Sequence, residues 1–362
     1  MFGSPRTGST WLLELLAHPL VLEARDPLGF RLPEGRASRG TGRLATLLRS
    51  EQPLRPPLLR GRRHWARRRR PRWRRDGWID VVPINESLLP THLLPPQLED
   101  PPARDRPWIR TPADIFGELG AYFFSQHYRD VWVPAVRDMA RARFGAQFER
   151  AAAAYPVRGN AVMVIKEPNG SHAAPLIMSL LPESRLLFLY RDGRDVVDSH
   201  LALSEPGQLI AVWSGVALET SRSWGRRSRR RALAEARMEL VRQESLNWVA
   251  RMEATERAFQ ARPAHLRFSL GYEELLSDPA GRLRELVDWL GLERDSAAIA
   301  EAIEANSFAE GGRAPTGAAA TRRTASPGLW RENLTDEENS LAHEIMGEKL
   351  AELGYLQSRA RA

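Results

Sequence analysis

An α/β fold, with a central parallel sheet and helices on both faces in three layers, is predicted by three observations in this 362-residue chain. The first is a loop at its start: Gly3 and Gly8 flank four residues, Ser9 and Thr10 follow, and the whole reads as strand, tight loop, helix. The second is a pair of continuous apolar runs, 161–165 and 185–190, each suited to a buried parallel strand. The third is the alternation of such strands with helical patterns, which implies a sheet covered on both faces. Ligands in that architecture sit beyond the carboxyl ends of the strands.

The opening loop has the Gly-x-x-x-x-Gly-x-[Ser/Thr] spacing of a phosphate cradle. Glycines let backbone N–H groups converge on phosphate oxygens, and the helix N-terminus adds a positive dipole end. Ser9 stands where nucleoside triphosphatases carry a Lys, so the site is poorly suited to a γ-phosphate, and the basic group has moved to Arg6. Taken alone, these residues also fit an ordinary Gly/Pro turn before a helix.

Composition narrows the classes. Without cysteine, neither a disulfide framework nor a thiolate metal site is available. No stretch approaches the ~18 apolar residues of a membrane span. With the loop opening at Met1, no signal peptide or anchor is expected ahead of it, and a cytoplasmic location is anticipated. The same start leaves only Met1 and Phe2 for the first strand, which is expected to be short or truncated. The net charge of +8 rests almost wholly on Arg, since Lys166 and Lys349 are the only lysines; this bias points to coding-DNA composition rather than to a polyanionic partner. A Lys that persists in such a chain marks a need for a compact ammonium, which singles out Lys166 at a strand end. Lys349 is expected on the surface of a C-terminal helix.

Along the chain, residues 9–17 read as a short helix. Residues 25–110 form an Arg/Pro-rich insertion, partly flexible, within a single domain spanning 1–362. Its core, 60–75, interleaves Trp65 and Trp73 with arginines; that pattern fits single-stranded nucleic acid or an anionic lipid or glycan, but also a solvated, mobile charge block. Residues 78–94 are more apolar and are expected to cap an acceptor site. Thr111 and Pro112 start a helix to about Tyr128, and a second runs from Pro134 to Ala154. The 161–165 strand ends in Lys166-Glu167-Pro168, and a helix follows to about Leu181. The 185–190 strand runs into Arg191-Asp192-Gly193-Arg194-Asp195 and a helix holding Ser199. Helices are expected over 208–224 and 231–261, and a strand over 266–270 runs into Tyr272. Further helices cover 280–290, 296–305 and 335–353, the last opened by a Thr335/Glu338 capping box, and 309–328 reads as loop.

At four separated places the chain resembles the sulfotransferases that use 3′-phosphoadenosine 5′-phosphosulfate (PAPS). Pro5-Arg6-Thr7-Gly8-Ser9-Thr10-Trp11 resembles their 5′-phosphosulfate loop, and the segment from Arg191 to Ser199 their 3′-phosphate motif. Tyr272-Glu273-Glu274-Leu275 with Asp278-Pro279 is similar to the segment whose Tyr approaches adenine. Residues 323–331 resemble the C-terminal Arg-Lys-Gly-x-x-Gly-x-Trp loop, with Thr324 and Ala325 replacing its Lys and Gly. The resemblance implies PAPS as co-substrate, no metal, and a small-molecule, lipid or carbohydrate acceptor offering a hydroxyl or amine. It also implies roles. The amides of Thr7, Gly8, Ser9 and Thr10 hold the 5′-phosphate, and Arg6 sits against the leaving bridging oxygen. Trp11 stacks on adenine and Tyr272 approaches it. Arg191, Ser199 and Arg323 hold the 3′-phosphate, which separates PAPS from ATP. Lys166 stabilises the transferring sulfuryl group. Where some members carry a catalytic His, this chain has Pro168, so Glu167 is the first candidate base and His172, with a near-neutral pKa, the second.

Other classes stay open. A P-loop kinase or NTPase is disfavoured by Ser9 and by the lack of an obvious magnesium carboxylate. A nucleic-acid-binding role rests on 60–75 alone, and a catalytically silent binder of the desulfated nucleotide is compatible with the unclear base.

Overall fold

The computed structural model describes residues 1–2, 8–16, 79–85, 94, 115–154, 157–168, 170–203, 226–306 and 326–356. After Met1 and Phe2, helix α1 spans Ser9–Leu16 and strand β1 spans Ile79–Asn85. Helix α2 (Arg129–Ala154) leads into β2 (Val157–Lys166). A 3-10 turn at Ser171–Ala173 and helix α3 (Ala174–Leu180) return the chain to β3 (Leu186–Tyr190). Helices α4 (Gly193–Leu203) and α5 (Arg226–Gln260) precede β4 (Arg267–Gly271). Helices α6 (Tyr272–Ser277), α7 (Pro279–Leu290) and α8 (Ser296–Ala305) follow, then α9 (Trp330–Asn333) and α10 (Asp336–Glu352).

All described strand pairs are parallel: β1 with β2, and β3 with β4. Met1 and Phe2 join the two pairs. Met1 N donates to Ile165 O at 2.8 Å, and Glu167 N donates to Met1 O at 3.0 Å. On the other side, Phe2 N donates to Leu187 O and Leu189 N to Phe2 O, both at 2.9 Å. The order across the sheet is therefore β1, β2, Met1–Phe2, β3, β4.

Side chains of β3 alternate between two cores, as the two-residue period of a strand requires. Leu186 and Phe188 pack with α3, α4, α5 and α10; Leu187 and Leu189 pack with α1, α7 and α8. Burial on both faces is why this strand reads as an unbroken apolar run. Trp248 of α5 is fully buried in the first core, and its Nε1 donates to Arg191 O at 3.3 Å, fixing the turn after β3.

Several expectations need correction. Strand β1 lies inside the stretch read as an insertion, and within the segment expected to cap an acceptor site; its described part belongs to the sheet. Asp80 and Pro83 hid it by breaking the apolar pattern. Pro is tolerated here because β1 is an edge strand among those described, and the Asp80 carboxylate is held by Arg294 Nε at 2.7 Å. Among its described residues the segment before α2 is helical only at 115–116, followed by turns and a 3-10 helix at Gln126–Tyr128, and α2 starts at Arg129 with Pro134 inside it. Sequence reading gives Pro134 the first helical position because an interior Pro removes a hydrogen bond. Lys349 is not a free surface charge: it is largely buried and pairs with Glu256 at 2.8 Å and with Glu352. The helix start at Thr111, the 208–224 helix, the 60–75 run and most of the 309–328 loop lie outside the described residues.

The capping box at α10 is present and also ties α10 to α5. Glu338 accepts from Thr335 N at 3.0 Å, and takes Arg237 bidentately at 2.7 and 3.0 Å. Burial pushes the Glu338 carboxyl up, but the Arg237 guanidinium and the Thr335 amide outweigh it and hold it below its ordinary value of 4.5. A depressed carboxyl stabilises above its unfolded pKa and loses that contribution as pH falls through the folded value. Glu338→Gln is expected to cost about 1–3 kcal/mol at pH 7 in denaturant unfolding, with the gap to wild type closing below about pH 4.5.

Candidate functional site

Parallel strands bring their carboxyl ends to one edge of the sheet. At that edge lie Lys166 at the end of β2 and Glu167 after it, Arg191 to Asp195 after β3, and Tyr272 to Glu274 after β4. The helix α1 starts directly after Gly8, which rests on Tyr272, so its first turn lies at the same edge.

Which face each side chain takes follows from strand period. Val162 and Val164 pack in the core that holds α1, so Lys166 leaves β2 on that face. Glu167 still pairs through its N–H with Met1 and leaves on the other. Leu189 enters the α1 core, and Arg191, two residues on, follows it: its guanidinium lies over the Tyr272 ring at 4.6 Å. Lys166, Arg191 and the α1 N-terminus therefore share one face. Both cationic residues are nearly enclosed, at 3% and 7% exposure.

Gly8 closes the loop with φ of +79°, a conformation that favours glycine. A Cβ there would stand 2.4 Å from the Tyr272 ring. Tyr272 is thus the floor under Gly8 rather than an exposed stacking surface; it is 2% exposed and meets Trp11 edge-on at 6.1 Å. Burial pushes the Tyr272 hydroxyl up, against the pull of Arg191. Trp11 is buried in the core, and its Nε1 donates to Asn306 O at 3.0 Å; in this conformation it packs rather than offering a face to adenine. Ser9 is buried and Thr10 lies in the first turn of α1. Ser199 is half-buried on α4. Arg6, Thr7 and Arg323 lie outside the described residues.

The turn after β3 is built from interlocked charges. Asp192 accepts from Arg194 through two bonds, 3.0 Å to Nε and 2.7 Å to Nη2, and also caps the Arg194 amide at 2.9 Å. Arg194 lies over the Trp330 ring at 4.0 Å and donates to Tyr355 O at 3.2 Å. Glu273 takes the Asp192 amide at 3.1 Å and the Tyr355 hydroxyl at 2.7 Å. Asp195 stands between two functional segments. It accepts from Gly328 N at 2.8 Å and Trp330 N at 3.5 Å, and faces Arg191 Nη2 at 3.9 Å. Burial pushes its carboxyl up, opposed by the Gly328 amide and Arg191. Arg194 and Asp195, neighbours in the chain, take different partners. Asp195's hold on the C-terminal loop joins residues 133 apart, which no local pattern announces.

The two candidate bases separate. Glu167 is 3% exposed and packs so close to Gly170 that a Cβ there would meet its Cγ at 2.9 Å. His172 is half-exposed in the 3-10 turn that follows. Among the described residues, no cluster of His, Cys, Asp and Glu is arranged to hold a metal, and no helix is long and apolar enough to cross a membrane.

A family model described as the sulfotransferase family matches residues 1–296, and the chain belongs to that family. No curated protein sequence matches it. Among solved structures, a sulfotransferase domain from the curacin biosynthetic pathway aligns over 78% of this chain and 99% of its own, at 14% identity and a TM-score of 0.34.

The contact between Gly8 and Tyr272 is directly testable. Gly8→Ala combines a left-handed backbone with a clash against the buried ring, and is expected to cost about 1–3 kcal/mol in thermal or denaturant unfolding.

Proposed function

We propose that this chain transfers a sulfuryl group from PAPS to an acceptor hydroxyl, within a three-layer fold whose opening loop cradles the 5′-phosphosulfate. The observation that carries this reading is the shared face of Lys166, Arg191 and the α1 N-terminus: two buried cations and a helix dipole on one face of the sheet edge suit an anion with several charged centres. The glycine-closed loop end at Gly8 fits the close backbone approach that a phosphate cradle needs.

In this reading Arg191, with Ser199 and Arg323, holds the 3′-phosphate. The amides of residues 7–10 hold the 5′-phosphate, with Arg6 at the bridging oxygen. Lys166 faces the transferring group from the end of β2. PAPS supplies a sulfuryl group on a good leaving phosphate. The acceptor oxygen forms a bond to sulfur as the sulfur–oxygen bond to the phosphate breaks; the acceptor proton passes to a base, and adenosine 3′,5′-bisphosphate leaves. Alignment and charge stabilisation supply most of the acceleration, as in phosphoryl transfer. Exposure favours His172 as the base, because an acceptor hydroxyl has to reach it; Glu167 holds the strand end from the opposite face. The acceptor is a small molecule, lipid or carbohydrate, and the reaction is placed in the cytoplasm.

The test is a PAPS-dependent transfer assay with a panel of phenolic, aliphatic and sugar hydroxyls. His172→Ala is expected to lower kcat by about 10²–10⁴, the range for loss of a general base, while binding of adenosine 3′,5′-bisphosphate is retained. Glu167→Gln is expected to lower thermal stability and leave kcat within tenfold. The opposite pattern would move the base to Glu167, and ATP hydrolysis in place of sulfuryl transfer would overturn the reading.

A further inference from the structure

The segment leading into α2 turns large apolar side chains to solvent. Phe123 is 80% exposed and Val131, in the first turn of the helix, 71%; Leu119 and Tyr128 are exposed with them. Clustered apolar exposure of this kind marks a binding surface. The display is held in place. Gln126 N donates to Gly117 O at 2.8 Å, His127 Nε2 lies 2.9 Å from Glu118 O, and Trp132 Nε1 donates to Ser125 O at 2.9 Å. Phe124 turns inward and meets Trp132 edge-on at 5.9 Å, and Phe123 stands on Phe124 at 4.9 Å. Backbone groups of the segment are thereby bonded within it, as in a compact loop packed by its own side chains.

Its place in the molecule follows from how α2 is fixed to α3. Arg137 donates to Ser179 O at 3.0 Å and to Leu180 O at 3.2 Å, and Arg141 takes Glu183 bidentately at 3.1 and 3.0 Å. Arg137 to Ser179 and Arg141 to Glu183 share one offset of 42 residues, so the two helices run side by side in the same direction. Carried back toward both amino ends, that offset sets Asp130 about level with His172, and Val131 with Ala173. Trp132 packing in one cluster with Leu176 agrees. The apolar patch therefore lies at the level of the 3-10 turn that carries His172, beyond the carboxyl end of β2.

We propose that this patch is the acceptor subsite, and that the acceptor carries its hydroxyl on a long apolar chain. The chain lies over Leu119, Phe123, Tyr128 and Val131, and the hydroxyl reaches His172. The inference rests on the sulfuryl-transfer reading and narrows its acceptor class. A sugar gives up water at every hydroxyl and needs polar side chains in exchange, whereas the large exposed groups here are alkyl and aromatic. Four such side chains also exceed what a single ring covers. An alkyl chain laid along them removes apolar area from water on both partners.

The experiment measures calorimetric binding of butanol, hexanol, octanol and decanol to the full chain with adenosine 3′,5′-bisphosphate present, and PAPS-dependent transfer to the same alcohols and to glucose. The variants are Phe123→Ser and Val131→Ser, with Met139→Ser, exposed further along α2, as control. Affinity is expected to rise about two- to fourfold per added methylene. Each patch variant is expected to weaken decanol about tenfold and butanol less than threefold, with kcat at saturating decanol little changed; the control is expected to match wild type. All three substitutions are on the surface, so melting temperatures are expected to stay within about 2 °C of wild type. Affinity independent of chain length, decanol binding untouched by both patch variants, or transfer to glucose as efficient as to decanol overturns the proposal. So does self-association or capture by phosphatidylcholine vesicles that the patch variants abolish while no alcohol binds. Chain-length-dependent binding lost in both patch variants, without transfer to any hydroxyl, supports the apolar subsite and fails the sulfuryl-transfer reading instead.

Discussion

Two residues hold the sheet together. Met1 and Phe2 bond β2 on one side and β3 on the other, and without those bonds the described strands are two separate parallel pairs. Every element of the candidate site hangs from this junction. It sets the end of β2, with Lys166, one strand away from the end of β3 that leads to Arg191. It also divides the two cores, so that Phe188 and Leu189, adjacent in sequence, pack against different helices. A parallel sheet is covered on both faces, so a one-residue slip at the junction would exchange those cores and turn Arg191 away from Tyr272.

The charges at the strand ends meet a second constraint. An ionic group taken out of water costs several kcal/mol unless it is paired and hydrogen-bonded. Asp192, Arg194, Glu273 and Asp195 meet that cost with one another and with backbone amides. Arg191 lies over the face of Tyr272 and approaches Asp195 at 3.9 Å. Asp195 links that cation to Gly328 and Trp330, so the C-terminal loop and the turn after β3 are positioned as one unit.

Much of this was legible from sequence where local rules act alone. The runs ending at Lys166 and Tyr190 read as parallel strands because both faces are buried, and the Thr335/Glu338 box marked the start of α10. The gathering of motifs at one sheet edge followed from topology. What escaped needed partners distant in the chain. Strand β1 carries Asp80 and Pro83, which only Arg294 and an edge position make acceptable. Tyr272 reads as a ligand contact until Gly8 is seen to rest on it, and Trp11 until Asn306 is seen to take its N–H. The faces of Lys166 and Glu167 were implicit in the period of β2, but only packing shows which face carries the site.

The most direct measurement is calorimetric binding of adenosine 3′,5′-bisphosphate against adenosine 5′-phosphate and ATP, in wild type and Arg191→Ala. The account predicts that the bisphosphate binds most tightly. It also predicts that Arg191→Ala weakens the bisphosphate about 10- to 100-fold, the worth of a charge-assisted hydrogen bond, and the monophosphate little. Equal loss for both nucleotides, or tighter binding of ATP, would contradict the placement of the 3′-phosphate at Arg191 and with it the reading of the site.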